Sequence, residues 1–133
     1  MAIAMQGVCP LLQVFDMPTA LRFYRDRLGF DVIERSGADD DCGWARLRGG
    51  GAELMLNTAY DVGERPPERD RARQAAHGDV ILYIGCPDVD GAYAELRALG
   101  CEVAPPRVAP YGMKQLFVVD PDGYSLVFQH PVA

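Results

Sequence analysis

The stretch Asp120-Pro121-Asp122-Gly123-Tyr124, running into Ser125-Leu126-Val127-Phe128-Gln129, decides how the rest of the chain is read. Pro121 presets φ, Gly123 permits a chain reversal, and aspartates accept hydrogen bonds from nearby amides. Turn chemistry therefore accounts for both carboxylates, and no catalytic role is assigned to them. The residues that follow predict a strand over 124–129. Its alternation puts Leu126 and Phe128 on one face and Ser125, Val127 and Gln129 on the other.

Working outward, strands are predicted at 113–119 and, briefly, at 102–104. Ahead of them Asp88 caps a helix with a stripe of Ala92, Leu96 and Leu99 that ends at Gly100, and a strand at 79–85 precedes it. The same order occurs earlier. A strand at 8–15 leads to Asp16 as a cap, Pro18 in a first helical turn, Leu21, Tyr24 and Leu28 at helical spacing, and Gly29 as the stop. Strands at 30–35, 43–48 and 52–57 follow, with Gly49-Gly50-Gly51 as the hairpin between the last two. Leu28-Gly29-Phe30 is echoed by Leu99-Gly100-Cys101. The chain thus reads as two βαβββ modules, about 8–57 and about 79–130, within a single α+β domain over 1–133. Between them, 58–78 carries Pro66-Pro67 and seven alternating charges from Glu64 to Arg73. It is either a solvated connector or a mobile flap, with a short helix expected over 67–76.

Strand parity carries a second signal. Leu12, Val14, Leu54, Leu56, Val80, Leu82, Ile84, Leu126 and Phe128 form an apolar even face that packs under the helices. The odd face mixes Cys9, Leu11, Gln13, Glu53, Met55, Asn57, Asp79, Ile81, Tyr83, Ser125, Val127 and Gln129. That mixture fits a pocket lined by apolar groups and a few fixed polar ones, or else the solvated side of an antiparallel sheet.

Bulk properties narrow the function classes. With 49% hydrophobic residues, a net charge of −6 and a pI near 4.8, the chain suits a packed globule and lacks the basic surface nucleic acid requires. No apolar run reaches the roughly 18 residues of a membrane span. Met1-Ala2-Ile3-Ala4-Met5 has neither the basic start nor the long apolar core of a secretory signal, so a cytoplasmic location is expected. Cys9, Cys42, Cys86 and Cys101 form no paired motif, and only His77 and His130 could join them, which argues against zinc-finger and redox sites. The triple glycine precedes neither a Lys-Ser/Thr pair nor a helix, so it is no phosphate cradle.

Taken in order, residues 8–24 with Leu28-Gly29-Phe30, then Gly50-Gly51-Ala52-Glu53-Leu54, Asp88-Val89-Asp90, Tyr111-Gly112-Met113 and Asp120–Tyr124 resemble the vicinal oxygen chelate superfamily. That group includes glyoxalase I, bleomycin-resistance proteins, fosfomycin-resistance enzymes and extradiol dioxygenases. The resemblance implies a cup-shaped mixed sheet with helices on its outer face, completed in a homodimer. It also implies that metal-dependent members take ligands from the first and last strands of each module. Matched motif to motif, those positions are Cys9, Glu53, Asp79 and Val127.

Val127 has no donor atom, and a soft Cys9 thiolate sits beside two hard carboxylates. No metal cofactor is therefore expected, with a divalent ion on Cys9, Glu53 and Asp79 as the weaker alternative. The expected function is that of the bleomycin-resistance-like members: a metal-free, dimeric protein that sequesters an antibiotic or similar aromatic small molecule. The alternative is a glyoxalase- or dioxygenase-type enzyme (lyase, isomerase or dioxygenase) using a metal, or Glu53 or Asp79 as a base. The expected ligand-binding residues are Gln13, Trp44, Glu53, Met55, Asn57, Tyr83, Tyr111, Val127 and Gln129. Trp44 serves either stacking or a dimer seam. Glu53 and Asp79 form either an acidic floor for a cationic ligand or structural ion pairs with Arg46, Arg48 or Lys114.

Overall fold

The computed structural model describes residues 2–61 and 63–132; Met1 of the N-terminal stretch and Val62 of the connector lie outside them. The chain divides into two compact units, one ending at Arg65 and one beginning at Pro66.

In the first unit β1 (Leu11–Val14) leads into α1 (Met17–Leu21), then β2 (Asp31–Arg35), β3 (Trp44–Gly49) and β4 (Ala52–Thr58). The sheet order is β1-β4-β3-β2, with β1 parallel to β4 and the other neighbours antiparallel. In the second unit β5 (Ile81–Gly85), α3 (Val89–Ala98), β6 (Arg107–Val108), β7 (Met113–Val119) and β8 (Ser125–Pro131) repeat the plan in the order β5-β8-β7-β6, again with one parallel pair. α2 (Arg71–Ala76) lies ahead of β5. The predicted α+β fold of two βαβββ modules is thus observed.

Local chemistry explains each start and stop. Asp16 caps α1, its carboxylate accepting from the Thr19 amide at 3.4 Å and the Thr19 hydroxyl at 3.0 Å. α1 continues in π geometry over Arg22–Arg27, with the Leu28 amide donating to the Phe23 carbonyl at 3.0 Å. Met17, Ala20, Leu21, Phe23 and Tyr24 turn inward. They meet the back of a sheet whose Leu12, Val14, Ala45, Leu47, Leu54 and Leu56 are all buried. Each large aliphatic side chain removed from water there contributes about 1.5–3 kcal/mol. In the second unit α3, capped by Asp88 through the Gly91 amide at 2.9 Å, sets Val89 and Leu96 on the side of buried Leu116, Val118 and Leu126.

Several boundaries move. Leu99 is the helix C-cap and exposed rather than part of the buried stripe. The 102–104 strand does not form; pairing begins at Arg107–Val108, past Pro105-Pro106, which have no amide hydrogen to give a ladder. The helix expected over 67–76 begins at Arg71, because Asp70 is the residue that caps it, accepting from the Ala72 and Arg73 amides at 3.0 and 3.1 Å. The strand expected at 8–15 pairs only over Leu11–Val14, so Cys9 precedes it. Asp79 ends a 3-10 turn (His77–Asp79) instead of opening β5.

The reason for this last shift is tertiary. His77 stacks on Tyr124 at 4.1 Å between ring centroids, and its Nδ1 lies 2.7 Å from the Asp122 carbonyl oxygen. Arg69 pairs with the buried Asp122 carboxylate at 2.7 Å, and the Gln74 side chain donates to the Pro121 carbonyl at 3.3 Å. The second half of the 58–78 segment thus rests against the 120–124 turn through Arg69, Gln74 and His77. Asp120 serves the turn, accepting from the Asp122 and Tyr124 amides at 2.9 and 2.8 Å, whereas the Asp122 carboxylate accepts from Arg69.

Candidate functional site

The helices leave one face of each sheet open, and on it lie the odd-numbered residues of β1, β4, β5, β7 and β8 and the even-numbered ones of β3. In the first unit the register sets three rows across this face: Gln13, Asn57 and Trp44; Leu11, Met55 and Arg46; and Glu53 with Arg48. The Asn57 amide donates to the Gln13 side-chain oxygen at 3.3 Å, a neutral pair beside half-buried Trp44.

Glu53 is not an open acidic group. Arg48 reaches one of its oxygens at 2.8 and 2.9 Å, and Arg46 reaches both at 3.2 Å while also holding Glu34 at 3.0 Å. These arginines, Arg48 foremost, hold the Glu53 carboxyl below the ordinary glutamate range. Of the two sequence readings, the ion pair is the one realised. Lys114 takes Asp90 at 2.6 Å, not Asp79, which is exposed. The pairing has a sign in pH. A lowered folded pKa means the stabilisation is complete above the ordinary glutamate range and is lost as pH falls through the lowered value. Urea midpoints measured from pH 6 down to pH 3 are expected to fall, and Glu53→Gln to flatten part of that fall; an unchanged slope in the variant would count against the pairing.

In the second unit the open face is more apolar. One row runs Tyr83, Val127, Phe117 and the next Ile81, Ser125, Val119. Val127 is 0% exposed, while Tyr83 and Phe117 on either side are 55% and 41% exposed. A third row runs Gly85, Gln129, Gln115, Arg107. Gln115, only 4% exposed, donates both amide hydrogens, to the Tyr111 hydroxyl at 2.8 Å and the Gln129 oxygen at 3.0 Å. The Arg107 guanidinium lies over the Phe117 ring at 5.6 Å. A groove of about 380 Å³ is lined by Arg107, Tyr111, Gln115 and Phe117 with Val108, Ala109 and Pro110.

Gln13, Trp44, Glu53, Met55 and Asn57 thus share one open face, and Tyr83, Tyr111, Val127 and Gln129 lie together at the other. Cys9 and Asp79 fall outside the strands. Sequence reasoning passed over Gln115, Phe117 and Arg107. The first two were findable, because they hold odd positions in a strand whose bounds were read correctly. Among the described residues no three His, Cys, Asp or Glu side chains converge. The matched donor set fits a metal poorly: Val127 offers no atom and both Glu53 oxygens are engaged by guanidiniums.

A repeated βαβββ unit with parallel β1–β4 and β5–β8 pairs defines a paired-module α+β protein. The family model of the Glyoxalase/Bleomycin resistance protein/Dioxygenase superfamily matches residues 7–128, and the chain belongs to that superfamily. Among solved structures, SMU.1112c is 32% identical, covering 95% of this chain and 99% of its own, with a TM-score of 0.72. TnmS3, an antibiotic binding protein from Streptomyces sp. CB03234, is 26% identical over 98% of this chain and 100% of its own, with a TM-score of 0.70. A glyoxalase/bleomycin resistance protein/dioxygenase from Nocardioides, at 22% identity, 98% and 87% coverage and a TM-score of 0.69, shares the fold. No curated protein matches the sequence. No helix among the described residues is long and apolar enough to cross a membrane.

Proposed function

We propose that this chain binds an aromatic small molecule, an antibiotic or a compound of similar shape, and sequesters it unchanged without a metal, acting as a homodimer. The observation that carries the reading is the Tyr83–Val127–Phe117 row: two aromatic side chains stand open to solvent around a wholly buried valine. Contiguous open apolar surface of this kind marks binding sites, and aromatic faces add stacking energy. Glu53 supports binding over acid-base chemistry, since a carboxylate held ionised by two arginines is a weak proton acceptor. The poor donor set at the matched positions supports metal independence, and TnmS3 lends support as a related antibiotic binding protein. The dimer is supported by separate features. Ile3, Met5 and Val8 are exposed ahead of β1, and β1 is bonded in its sheet on one side only.

Fluorescence titration with a panel of planar antibiotics tests the reading, Trp44 being the sole tryptophan. Binding with recovery of the intact drug is expected. Tyr83→Ala and Trp44→Ala, each probing one face, are expected to weaken it about tenfold, the loss of a stacked aromatic contact. Sedimentation equilibrium checks the dimer. A stoichiometric divalent ion that Glu53→Gln removes, or chelator-sensitive turnover of the drug, would replace this reading with the enzymatic one.

A further inference from the structure

The polar chain on the second unit's open face limits the chemistry of what can lie there. Gln115 spends both hydrogens of its side-chain amide, one on the Tyr111 hydroxyl and one on the Gln129 oxygen. The Gln115 oxygen belongs to a residue only 4% exposed, so the groups of this row that can reach a ligand are the Tyr111 hydroxyl hydrogen and the Gln129 amide hydrogens, which are donors. Gly85 ends the row beside Gln129, and a methyl group there would meet nothing within 4 Å, so the space next to the Gln129 amide is open. Arg107 closes the row's other end, its cation over Phe117.

No strand position on this face is a carboxylate: the three rows hold Ile81, Ser125 and Val119, then Tyr83, Val127 and Phe117, then Gly85, Gln129, Gln115 and Arg107. Asp79 precedes β5, at the end remote from Gly85 and Gln129. The face thus joins an apolar aromatic floor, an edge of donors and one cation. A cationic guest would find no counter-charge among these rows and would meet Arg107.

We infer that this face selects planar aromatic ligands that are neutral or anionic and carry oxygen acceptors along one edge, which Tyr111 and Gln129 bind while Tyr83 and Phe117 hold the rings. The inference rests on the small-molecule reading above and narrows it. It also replaces the acidic floor for a cationic guest, since Glu53 is already neutralised by Arg46 and Arg48.

Four tricyclic probes of similar ring area separate the possibilities: xanthone (neutral, acceptor edge), xanthone-2-carboxylate (anionic), carbazole (neutral, donor edge) and proflavine (cationic). Calorimetric titration of the full chain is expected to show both xanthones binding about tenfold or more tighter than carbazole and proflavine, the penalty of an unmatched polar edge. Tyr111→Phe with Gln129→Leu should remove the preference for xanthone over carbazole while leaving carbazole binding in place. Arg107→Gln should narrow only the gap between the carboxylate and xanthone. Melting curves confirm that each variant is folded. Proflavine binding as tightly as xanthone, or a preference that survives the double substitution, overturns the inference while the small-molecule reading stands. Absence of binding by all four probes overturns both. Loss of probe sites as the protein self-associates shows that a second copy covers this face, which also overturns the inference.

Discussion

Gly123→Ala is expected to be among the most damaging single-methyl changes in this protein. Gly123 sits at φ +91°, a conformation that side chains resist, and a Cβ there would lie 2.5 Å from the Gln74 carbonyl oxygen. Backbone strain and collision add, and the loss should be about 2–4 kcal/mol in a urea unfolding experiment. Gly50→Ala is the control. It has φ +56° but open space around the new methyl, so about 1 kcal/mol is expected. Equal losses at the two positions would mean that the seat of Gln74 against the turn contributes nothing. Because the same turn receives Arg69 and His77, proteolytic nicking between Arg69 and Arg73 should accelerate in Gly123→Ala and not in Gly50→Ala.

Val127→Glu is the second change with a large expected effect. Val127 is completely buried, and its register neighbours on β5 and β7 are Tyr83 and Phe117. A carboxylate at this wholly buried position loses its water among the rings of Tyr83 and Phe117, which costs about 3–5 kcal/mol. Val127→Leu, adding one methylene without charge, should cost about 1–3 kcal/mol. The informative arm adds zinc or manganese to the glutamate variant. No recovery of the melting temperature is expected, because the residues in register with position 127, Tyr83 and Phe117, supply no second carboxylate, imidazole or thiolate to a cation. Recovery with one bound ion per chain would show that a single side chain separates this protein from a metal centre, and the sequestration reading would fall.

Much of the fold was legible because the relevant forces act between near neighbours in sequence. The Asp16 and Asp88 caps, the two-residue turn between Gly49 and Ala52, and the alternation of Leu54 and Leu56 against Glu53, Met55 and Asn57 all lie within a few residues. The Arg48–Glu53 pair was readable for the same reason, since the hairpin places the two residues opposite each other. The misreadings at Asp79 and Gln115 involve distant partners. The strand expected at 79–85 begins only at Ile81, because the backbone before it follows the contacts of His77 with Asp122 and Tyr124, more than forty residues away. Gln115 was passed over because a lone glutamine in an apolar strand gives no sign of its partners. Its importance arises when the β7–β8 register sets it against Gln129 and the turn returns Tyr111 to its amide.

The repeated βαβββ plan, the side of each strand that turns to the core, and the turn that joins β7 to β8 can all be read from the residues alone. Those follow from periodicity and from the backbone freedom of single residues, and both are local. Which polar groups on the open faces stay available is settled by the folded sheets. Glu53 is engaged by arginines, and the Gln115 amide hydrogens are spent on the Tyr111 hydroxyl and the Gln129 oxygen. The physical reason is that a side chain's hydrogens and charge are allotted by whatever strand registration brings within about 3 Å, and registration is a property of the assembled sheet.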